Sequence, residues 1–492
     1  MSTTPTIRTV PGERRVAAPW RLLPCALAVA AALLEFTTLG RMFFPDTAAF
    51  VVHGWHAGYD VVFPTFNPGY PLLLDLLFLL LPAGARMTAL VVLQQACVAL
   101  IPWFVLRSGE RLGRPRVGFV AALLCALHAP LSLFAQSAQT DSLFAFVVAW
   151  SGFAFVRALT DPAGRGGAWA GALAAAAMAL RSSGIAIVAA VAVALLLSHP
   201  WRQRRLLGRF ALGFAVFFGL ILAKNRFDYG RATLVDGDGI HLFCRVAAVE
   251  RELPRTPEVE RLERVAAAGG QPSLFVPQAG WRIHRLLQQQ EKLAATAADD
   301  LLREVALSAL AADPWRSTAL TVQSMVRAVG PGDVLGYTIG SSVDAESDSR
   351  HRKRTIATWS TSPERMERAL ALLPPSAPSA EPGSRAVALL SRWARLSRRG
   401  GGAWLLVALV AAGVVGLLRR DAALLFCAGL PVAQLAASAI GEVPFVGHLD
   451  PVVPATWLAL LLAAVAFAPH QMRTRLSSAS HIASPGSTPN AA

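Results

Sequence analysis

Charge is scarce in this sequence, and that scarcity excludes an ordinary soluble protein. Only 16% of the 492 residues are charged, whereas soluble domains usually carry about 25% charged residues. In place of charge, the chain has repeated apolar runs of roughly 15–22 residues, a length typical of bilayer-crossing segments. Helices satisfy their backbone hydrogen bonds internally and can therefore lie in hydrocarbon. The composition predicts an all-α fold, a polytopic membrane helical bundle.

Cysteine is also scarce, and its distribution excludes two kinds of site. Four of the five cysteines (Cys25, Cys97, Cys125 and Cys427) lie in apolar runs, and Cys244 lies in a long polar segment. One thiol outside the apolar runs gives no disulfide framework, and no Cys-x-x-Cys pair indicates a metal site. The sequence also shows no nucleotide-sugar loop and no metal-ligand cluster, so we expect neither a cofactor nor a metal.

The net charge of +15 has a membrane explanation. In a soluble protein such an excess would favour nucleic-acid binding. Here most arginines flank apolar runs, where basic residues set the orientation of membrane spans. We therefore expect membrane lipid, and no nucleic acid, as a partner.

About ten spans are expected from the apolar runs. They lie at 18–39, 87–106, 117–134, 140–158, 167–180, 184–198, 206–223, 402–418, 421–440 and 452–468. The run Tyr70–Leu81 is too short to cross a core of about 30 Å, so we interpret it as a re-entrant or interfacial helix. If Tyr70–Leu81 does not cross the membrane, the arginine clusters of the amino-terminal tail and of the later connections between spans all lie on one side of the membrane. Basic clusters mark the cytoplasmic side, so we expect that side to be cytoplasmic.

This topology divides the chain into four parts. Residues 1–223 form an N-terminal transmembrane module with an external loop at 40–86, and residues 224–401 form an external, mostly helical segment between spans seven and eight. Residues 402–472 are C-terminal transmembrane helices, and 473–492 are a disordered cytoplasmic tail. We expect a multi-pass protein of the plasma (inner) membrane with both termini cytoplasmic.

The external segment has its own organisation. The stretches Ile283–Leu310 and Ser317–Val329 have the periodicity of amphipathic helices, and Asp313-Pro314 predicts a break between them. A Pro/Ser-rich linker lies near residues 373–384 and has no core-forming capacity.

Unusual polar residues collect in the segments expected on the outer face. The candidates are Asp46, His53, Asn67, Tyr70, Asp141, Arg181, His448 and Asp450, with Gln136 and Gln139 beside Asp141. Convergence of several loops on one face is what a membrane enzyme site needs, although a transporter vestibule would show the same pattern. Glu35 is an exception, since it lies near the end of the first span.

Each candidate also has a purely structural interpretation. Asp46 and Asp141 are each suited to cap a helix. His53 and His56 stand three residues apart, but without a clear third ligand a solvated helix face explains them better than a metal. Arg181 could extend to the headgroups or bind a phosphate.

Four stretches occur in an order and with a sidedness that resemble a known family. They are Asp46 followed by Asn67-Pro68-Gly69-Tyr70-Pro71, Leu93-Gln94-Gln95 leading to Arg111-Leu112-Gly113-Arg114, Ala129-Pro130 leading to Thr140-Asp141-Ser142-Leu143-Phe144, and Leu180-Arg181-Ser182-Ser183-Gly184. Together they resemble the C-type (GT-C) superfamily of integral-membrane glycosyltransferases, close to the protein O-mannosyltransferase and aminoarabinose-transferase-like branch (family 39-like). Relatives often have Glu at the place of Thr47, a basic residue at Asn67 and an arginine near His448.

The resemblance implies a polyprenyl-phosphate-linked sugar as donor and a glycan, lipid or protein as acceptor on the outer, periplasmic face. Arg181, and less directly His448, would stabilise the leaving phosphate. Asp46 would accept the acceptor's proton, and a single displacement would invert the anomeric carbon. If Arg181 serves only the donor, its removal should leave the stability of the donor-free protein nearly unchanged.

The alternative is a non-enzymatic transporter or flippase of lipid-linked glycans. It fits the hydrophobicity and the basic charge equally well. Many transporters contain internal repeats, which are not visible in this sequence, and its polar residues collect at one face rather than at the middle of the membrane. These two features favour the enzyme.

Overall fold

The computed structural model describes residues 17–39, 67–161, 164, 166–198, 200–235, 237–249, 253–271, 273–275, 279–328, 385–399, 403–441 and 452–467. Throughout these residues the regular structure is helical, which confirms the predicted fold class. Asp46, His53, His448, Asp450, the Pro/Ser linker and the C-terminal tail lie outside the described residues, so the expectations for them stay predictions.

The N-terminal half consists of nine helices after a short turn at Ala18–Arg21, counted over the described residues. They are α1 (Leu23–Leu39), α2 (Gly69–Leu80), α3 (Ala83–Arg111), α4 (Pro115–Ala126), α5 (Ala129–Phe134), α6 (Asp141–Thr160), α7 (Gly166–Leu180), α8 (Ile185–Ser198) and α9 (Pro200–Tyr229).

The remaining described helices are α10 (Asp238–Val249), α11 (Pro257–Ala268), α12 (Ala279–Gln290), α13 (Ala295–Ala312), α14 (Pro314–Ala328), α15 (Arg385–Arg399), α16 (Ala403–Arg419), α17 (Ala422–Gly441) and α18 (Val453–Phe467). We call α10–α14 the inserted helices, because they stand in the chain between the apolar helices α9 and α16. The predicted stretch Ile283–Leu310 is divided between α12 and α13 by residues 291–294, where Lys292 has a positive φ of 58°. The predicted break at Asp313-Pro314 is present, and the Asp313 carboxylate accepts from Arg316 N at 2.9 Å.

A helix occupies each of the ten expected spans. Four have both the length and the hydropathy to cross a membrane by themselves, at 84–111, 141–160, 203–228 and 422–439, and six apolar helices are shorter. One expected span, 117–134, is interrupted at Leu127 and His128 between α4 and α5. Pro130 lies in the first turn of α5, where its missing amide costs no helical hydrogen bond. The short run at Tyr70–Leu81 is α2, a helix of 12 residues.

Glycines let the apolar helices approach closely. A Cβ at Gly213 of α9 would lie 1.9 Å from Ala168 O of α7, and one at Gly171 of α7 would lie 2.0 Å from Phe210 O of α9. A backbone oxygen cannot move aside as a flexible side chain can. The seam between α7 and α9 therefore requires glycine at both positions.

The inserted helices have their own apolar core, which includes Phe243, Leu262, Ile283 and Leu302. They are attached to the bundle through Arg245 of α10, whose side chain is almost completely buried. Its guanidinium Nε donates to Ala439 O near the end of α17 at 3.2 Å, and Nη2 donates to Thr321 Oγ1 of α14 at 2.7 Å. Ala439 O is one of the last four carbonyls of α17, which have no partner within their own helix.

The α7–α9 seam predicts a contrast between two glycines of one helix. Gly213→Ala should lower the free energy of unfolding by roughly 1–3 kcal/mol, because the added methyl group collides with backbone. Gly219→Ala is the matched control, since nothing lies within 4 Å of its Cβ position. Thermal unfolding of the two variants in detergent measures the difference, and equal midpoints would contradict the seam.

Candidate functional site

The turn between α7 and α8, residues 181–184, is the centre of a polar cluster at one end of the bundle. Arg181 follows the last residue of α7 in an extended conformation, and Ser182–Gly184 form a single 3₁₀ turn. Ser183 and Gly184 are buried, and a Cβ at Gly184 would lie 2.6 Å from Met178 N. We call this segment the Arg181 turn. The side chains of Arg181, Ser182 and Ser183 each form a hydrogen bond with a different part of the fold.

Arg181 is paired with Asp141. The guanidinium Nη1 donates to Asp141 Oδ1 at 2.5 Å, and the two side chains are 20% and 17% exposed. Asp141 stands in the first turn of α6, where the positive end of the helix dipole favours a carboxylate. The two candidates, which sequence separates by 40 positions, therefore form one ion pair at the edge of the bundle.

Asn67 holds the end of α7 and the Arg181 turn together. Its amide Nδ2 donates to Met178 O at 2.6 Å, and its Oδ1 accepts from Ser182 Oγ at 3.1 Å. Met178 O is one of the carbonyls at a helix end that lack an intrahelical partner. Gly69 permits this contact, because a Cβ there would lie 2.8 Å from Ala179 O. The Asn-Pro-Gly segment thus docks α2 against the turn.

Gln434 of α17 makes the third connection, which sequence reasoning missed. It is buried, and its Nε2 donates to Ser183 Oγ at 2.9 Å. A glutamine inside an apolar run was the available signal, because a buried amide needs a hydrogen-bond partner. The contact joins the C-terminal helices to a site whose other members all belong to the first half of the chain.

A second irregular segment, residues 135–140, lies beside the ion pair and leads directly into Asp141. All six of its residues are buried, and we call it the buried loop. Gln94 of α3 donates from Nε2 to Ala135 O at 3.1 Å and to Ser137 O at 2.7 Å. The neighbouring Gln95 donates to Ser132 O at 3.0 Å. Gln94 therefore binds two carbonyls of the buried loop, and Gln95 binds a carbonyl of α5 just before it.

Tyr70 orients Gln94. The tyrosine is completely buried, and its hydroxyl donates to Gln94 Oε1 at 2.8 Å. Because Oε1 accepts from Tyr70, the amide Nε2 of Gln94 points to the carbonyls of the buried loop. Tyr70 thus lies behind the cluster and supports it.

Glu35 is also buried against this region. Its Oε1 accepts from Ser132 Oγ at 2.8 Å, at the end of α5 that precedes the buried loop. Glu35, which lies near the end of α1, therefore belongs to the same polar region.

The structure brings together four of the candidates from the sequence: Asn67, Tyr70, Asp141 and Arg181. Asn67 contacts the turn to which Arg181 belongs, and Asp141 pairs with Arg181. Tyr70 supports, through Gln94, the loop that leads into Asp141. The ion pair leads us to the opposite of one earlier prediction, namely that removal of Arg181 leaves the stability of the donor-free protein nearly unchanged. Removal of Arg181 would leave the Asp141 carboxylate without this cation, so its loss should affect stability even without a donor.

A guanidinium beside a carboxylate in a partly buried site can also bind an oxyanion. Arginine has five N–H donors in a planar fork, and Asp141 accepts from Nη1. The same group can serve a carboxylate on one edge and phosphate oxygens on another. The site is thus polar, positively charged at Arg181, and open at the edge of an apolar bundle.

One family model matches a part of the chain that includes the residues of this site. Residues 64–225 match the family model described as dolichyl-phosphate-mannose-protein mannosyltransferase. The matched range contains Asn67, the buried loop and the Arg181 turn. Over these residues it confirms the predicted resemblance to the GT-C superfamily, and it supports a membrane glycosyltransferase. No curated protein matches the chain.

Two solved structures from Archaeoglobus fulgidus are similar at 13% identity. The oligosaccharyltransferase AglB, in complex with an inhibitory peptide and a dolichol-phosphate, is matched over 95% of this chain and 53% of its own, with a TM-score of 0.43. The apo form of an oligosaccharyltransferase is matched over 94% and 52%, with a TM-score of 0.34. This chain spans about half the length of both structures.

The ion pair predicts a stability effect. Asp141→Ala or Arg181→Ala should each lower the free energy of unfolding by about 1–2 kcal/mol, because each leaves a partly buried charge without its partner. The double variant should lose less than the sum of the two. Asp228→Ala is the control, since it breaks the i, i+4 pair with Lys224, which is worth about 0.5 kcal/mol or less. Unfolding of the detergent-solubilised protein by titration with SDS measures all four, and additive single effects would contradict the pairing.

Proposed function

We propose that this protein transfers a sugar from a polyprenyl-phosphate-linked donor to a hydroxyl of a glycan, lipid or protein acceptor. The observation that carries the proposal is the Asp141–Arg181 pair within the segment that matches the mannosyltransferase family model. A cation at the edge of an apolar bundle suits a donor whose phosphate stands at the membrane surface and whose chain stays in the bilayer.

Arg181 binds the donor phosphate in this proposal. As the bond between the anomeric carbon and the phosphate oxygen breaks, negative charge grows on the leaving phosphate. A guanidinium held in place stabilises that charge more in the transition state than in the ground state. Asp141 holds the guanidinium by Nη1, and Asn67 holds the turn that carries it. His448 is a second candidate for contact with the phosphate.

Asp46 takes the proton in this proposal. The acceptor hydroxyl oxygen forms the bond to the anomeric carbon, its proton passes to the Asp46 carboxylate, and the polyprenyl phosphate leaves. One displacement inverts the anomeric centre. His53 and Asp450 remain further candidates for the site.

Donor binding tests the role of Arg181 without knowledge of the sugar or the acceptor. Arg181→Lys should weaken the binding of polyprenyl phosphate by roughly 1–3 kcal/mol, because a lysine cannot hold Asp141 and a phosphate in one fork. Arg226→Lys, an exposed arginine at the end of α9, is the matched control. Titration of the purified protein in nanodiscs measures the affinity, and a lysine variant with parental affinity would remove Arg181 from the site.

Turnover separates the enzyme from a transporter in the same preparation. Asp46→Asn should bind polyprenyl phosphate normally but lose roughly 10²–10⁴-fold in transfer from a polyprenyl-phosphate mannose donor, as loss of a base does. Binding of the lipid phosphate with no transfer by the parental protein would favour the flippase. Transfer at the parental rate by the variant would leave Asp46 as a helix cap.

The proposed topology places the inserted helices outside and the connection 107–116 in the cytoplasm. A cysteine at Ala268, an exposed position of α11, should react with a membrane-impermeant maleimide in intact cells. A cysteine at the exposed Arg111 should react only after permeabilisation. Both are placed in a background in which Cys244 is serine, and the reverse pattern would overturn the orientation.

A further inference from the structure

α15 has a chemistry unlike that of the other helices next to the bundle. Its 15 residues contain five arginines and no acidic residue. α16, an apolar helix of the predicted spans, begins at Ala403, four positions after α15 ends. A basic helix therefore stands directly before a membrane span.

One face of α15 is fixed to the bundle. Leu390 is buried, and Trp393 Nε1 donates to Leu127 O at 3.1 Å. The helix packs against α5 and α1. α5 leads into the buried loop and Asp141, so α15 lies at the same end of the bundle as the Arg181 turn.

Two further stripes of α15 are exposed side by side. Leu389 and Leu396 are 65% and 54% exposed, and residues seven positions apart lie on the same face of a helix. Arg385 and Arg392 have the same spacing and are exposed as well. With 3.6 residues per turn, the arginine stripe borders the leucine stripe on the side away from Trp393. A helix with an arginine stripe beside an exposed leucine stripe is suited to lie in the plane of a membrane surface.

We propose that α15 docks on the anionic phospholipid headgroups of the bilayer at the end of the bundle that carries the site. Leu389 and Leu396 enter the boundary of the acyl chains, and Arg385 and Arg392 bind lipid phosphates. The charge of the helix is complementary to such headgroups over its whole length, and arginine forks match phosphate oxygens. The proposal is independent of the transferase reaction.

Hydrogen exchange of the full chain in nanodiscs tests the proposal, with one copy in each disc. Peptides covering residues 385–399 should exchange roughly ten-fold more slowly in discs that contain phosphatidylglycerol than in discs of phosphatidylcholine alone. Peptides of α11 should exchange equally in both. Equal exchange of α15 in the two lipids would overturn the proposal.

Charge-removing variants locate the effect. The double variant Arg385→Gln/Arg392→Gln should lose most of the difference between the two lipids. The double variant Arg255→Gln/Arg264→Gln removes the same charge from exposed positions at α11 and should keep the difference. If both double variants behave alike, net charge and not α15 explains the effect.

Two further measurements are needed. One tests the contact of the leucine stripe with the membrane, and the other distinguishes lipid phosphate from free phosphate. Leu389→Gln/Leu396→Gln should accelerate exchange of α15 in both lipids, because the anchor is lost, and unchanged exchange would contradict the apolar contact. Inorganic phosphate added to phosphatidylcholine discs should give no protection. Protection by inorganic phosphate equal to that by phosphatidylglycerol would mean that α15 is a free-phosphate site and would overturn membrane docking.

Discussion

Irregular backbone inside an apolar bundle is the constraint on which the site depends. A peptide group that is buried without a hydrogen bond costs several kcal/mol in an environment from which water is excluded. The buried loop and the Arg181 turn are both of this kind. Side-chain amides bind carbonyls in and beside these segments. Gln94 donates to Ala135 O and Ser137 O of the buried loop, Gln95 donates to Ser132 O just before the loop, and Asn67 donates to Met178 O just before the turn. These amides also fix the position of the charged residues beside them.

Neutral amides suit this task better than charged groups. An amide both donates and accepts, so Asn67 can hold Met178 O and Ser182 Oγ at once without the desolvation penalty of a buried ion. Among the described residues, Asp141 and Arg181 form an ion pair, and Glu35 is a further ionisable group buried against the same region. The Arg181 guanidinium is thus held by Asp141, and the turn that carries it is held by Asn67.

The sequence predicted the helices and several polar residues of the site, but it did not predict which of these residues contact each other. Hydropathy and run length were enough for the helices, and a polar residue beside an apolar run was enough to select Asn67, Asp141 and Arg181. The sequence did not reveal which residues these side chains contact, because contacts such as Asn67–Met178 and Gln434–Ser183 join positions 111 and 251 residues apart. Such separations are too long for a local sequence pattern to predict. The break between α4 and α5 had a local signal, since Pro130 follows His128 closely.

α17 connects two remote parts of the molecule mechanically. Gln434 contacts the Arg181 turn, and Ala439 accepts from Arg245 of the inserted helices. Five residues separate the two contacts, a distance of about 7.5 Å along a helix. The helix backbone between them is regular, so the spacing of the two contacts is fixed by the helix itself. One continuous helix therefore joins the Arg181 turn to the inserted helices, although Ser183 and Arg245 stand 62 positions apart in the sequence.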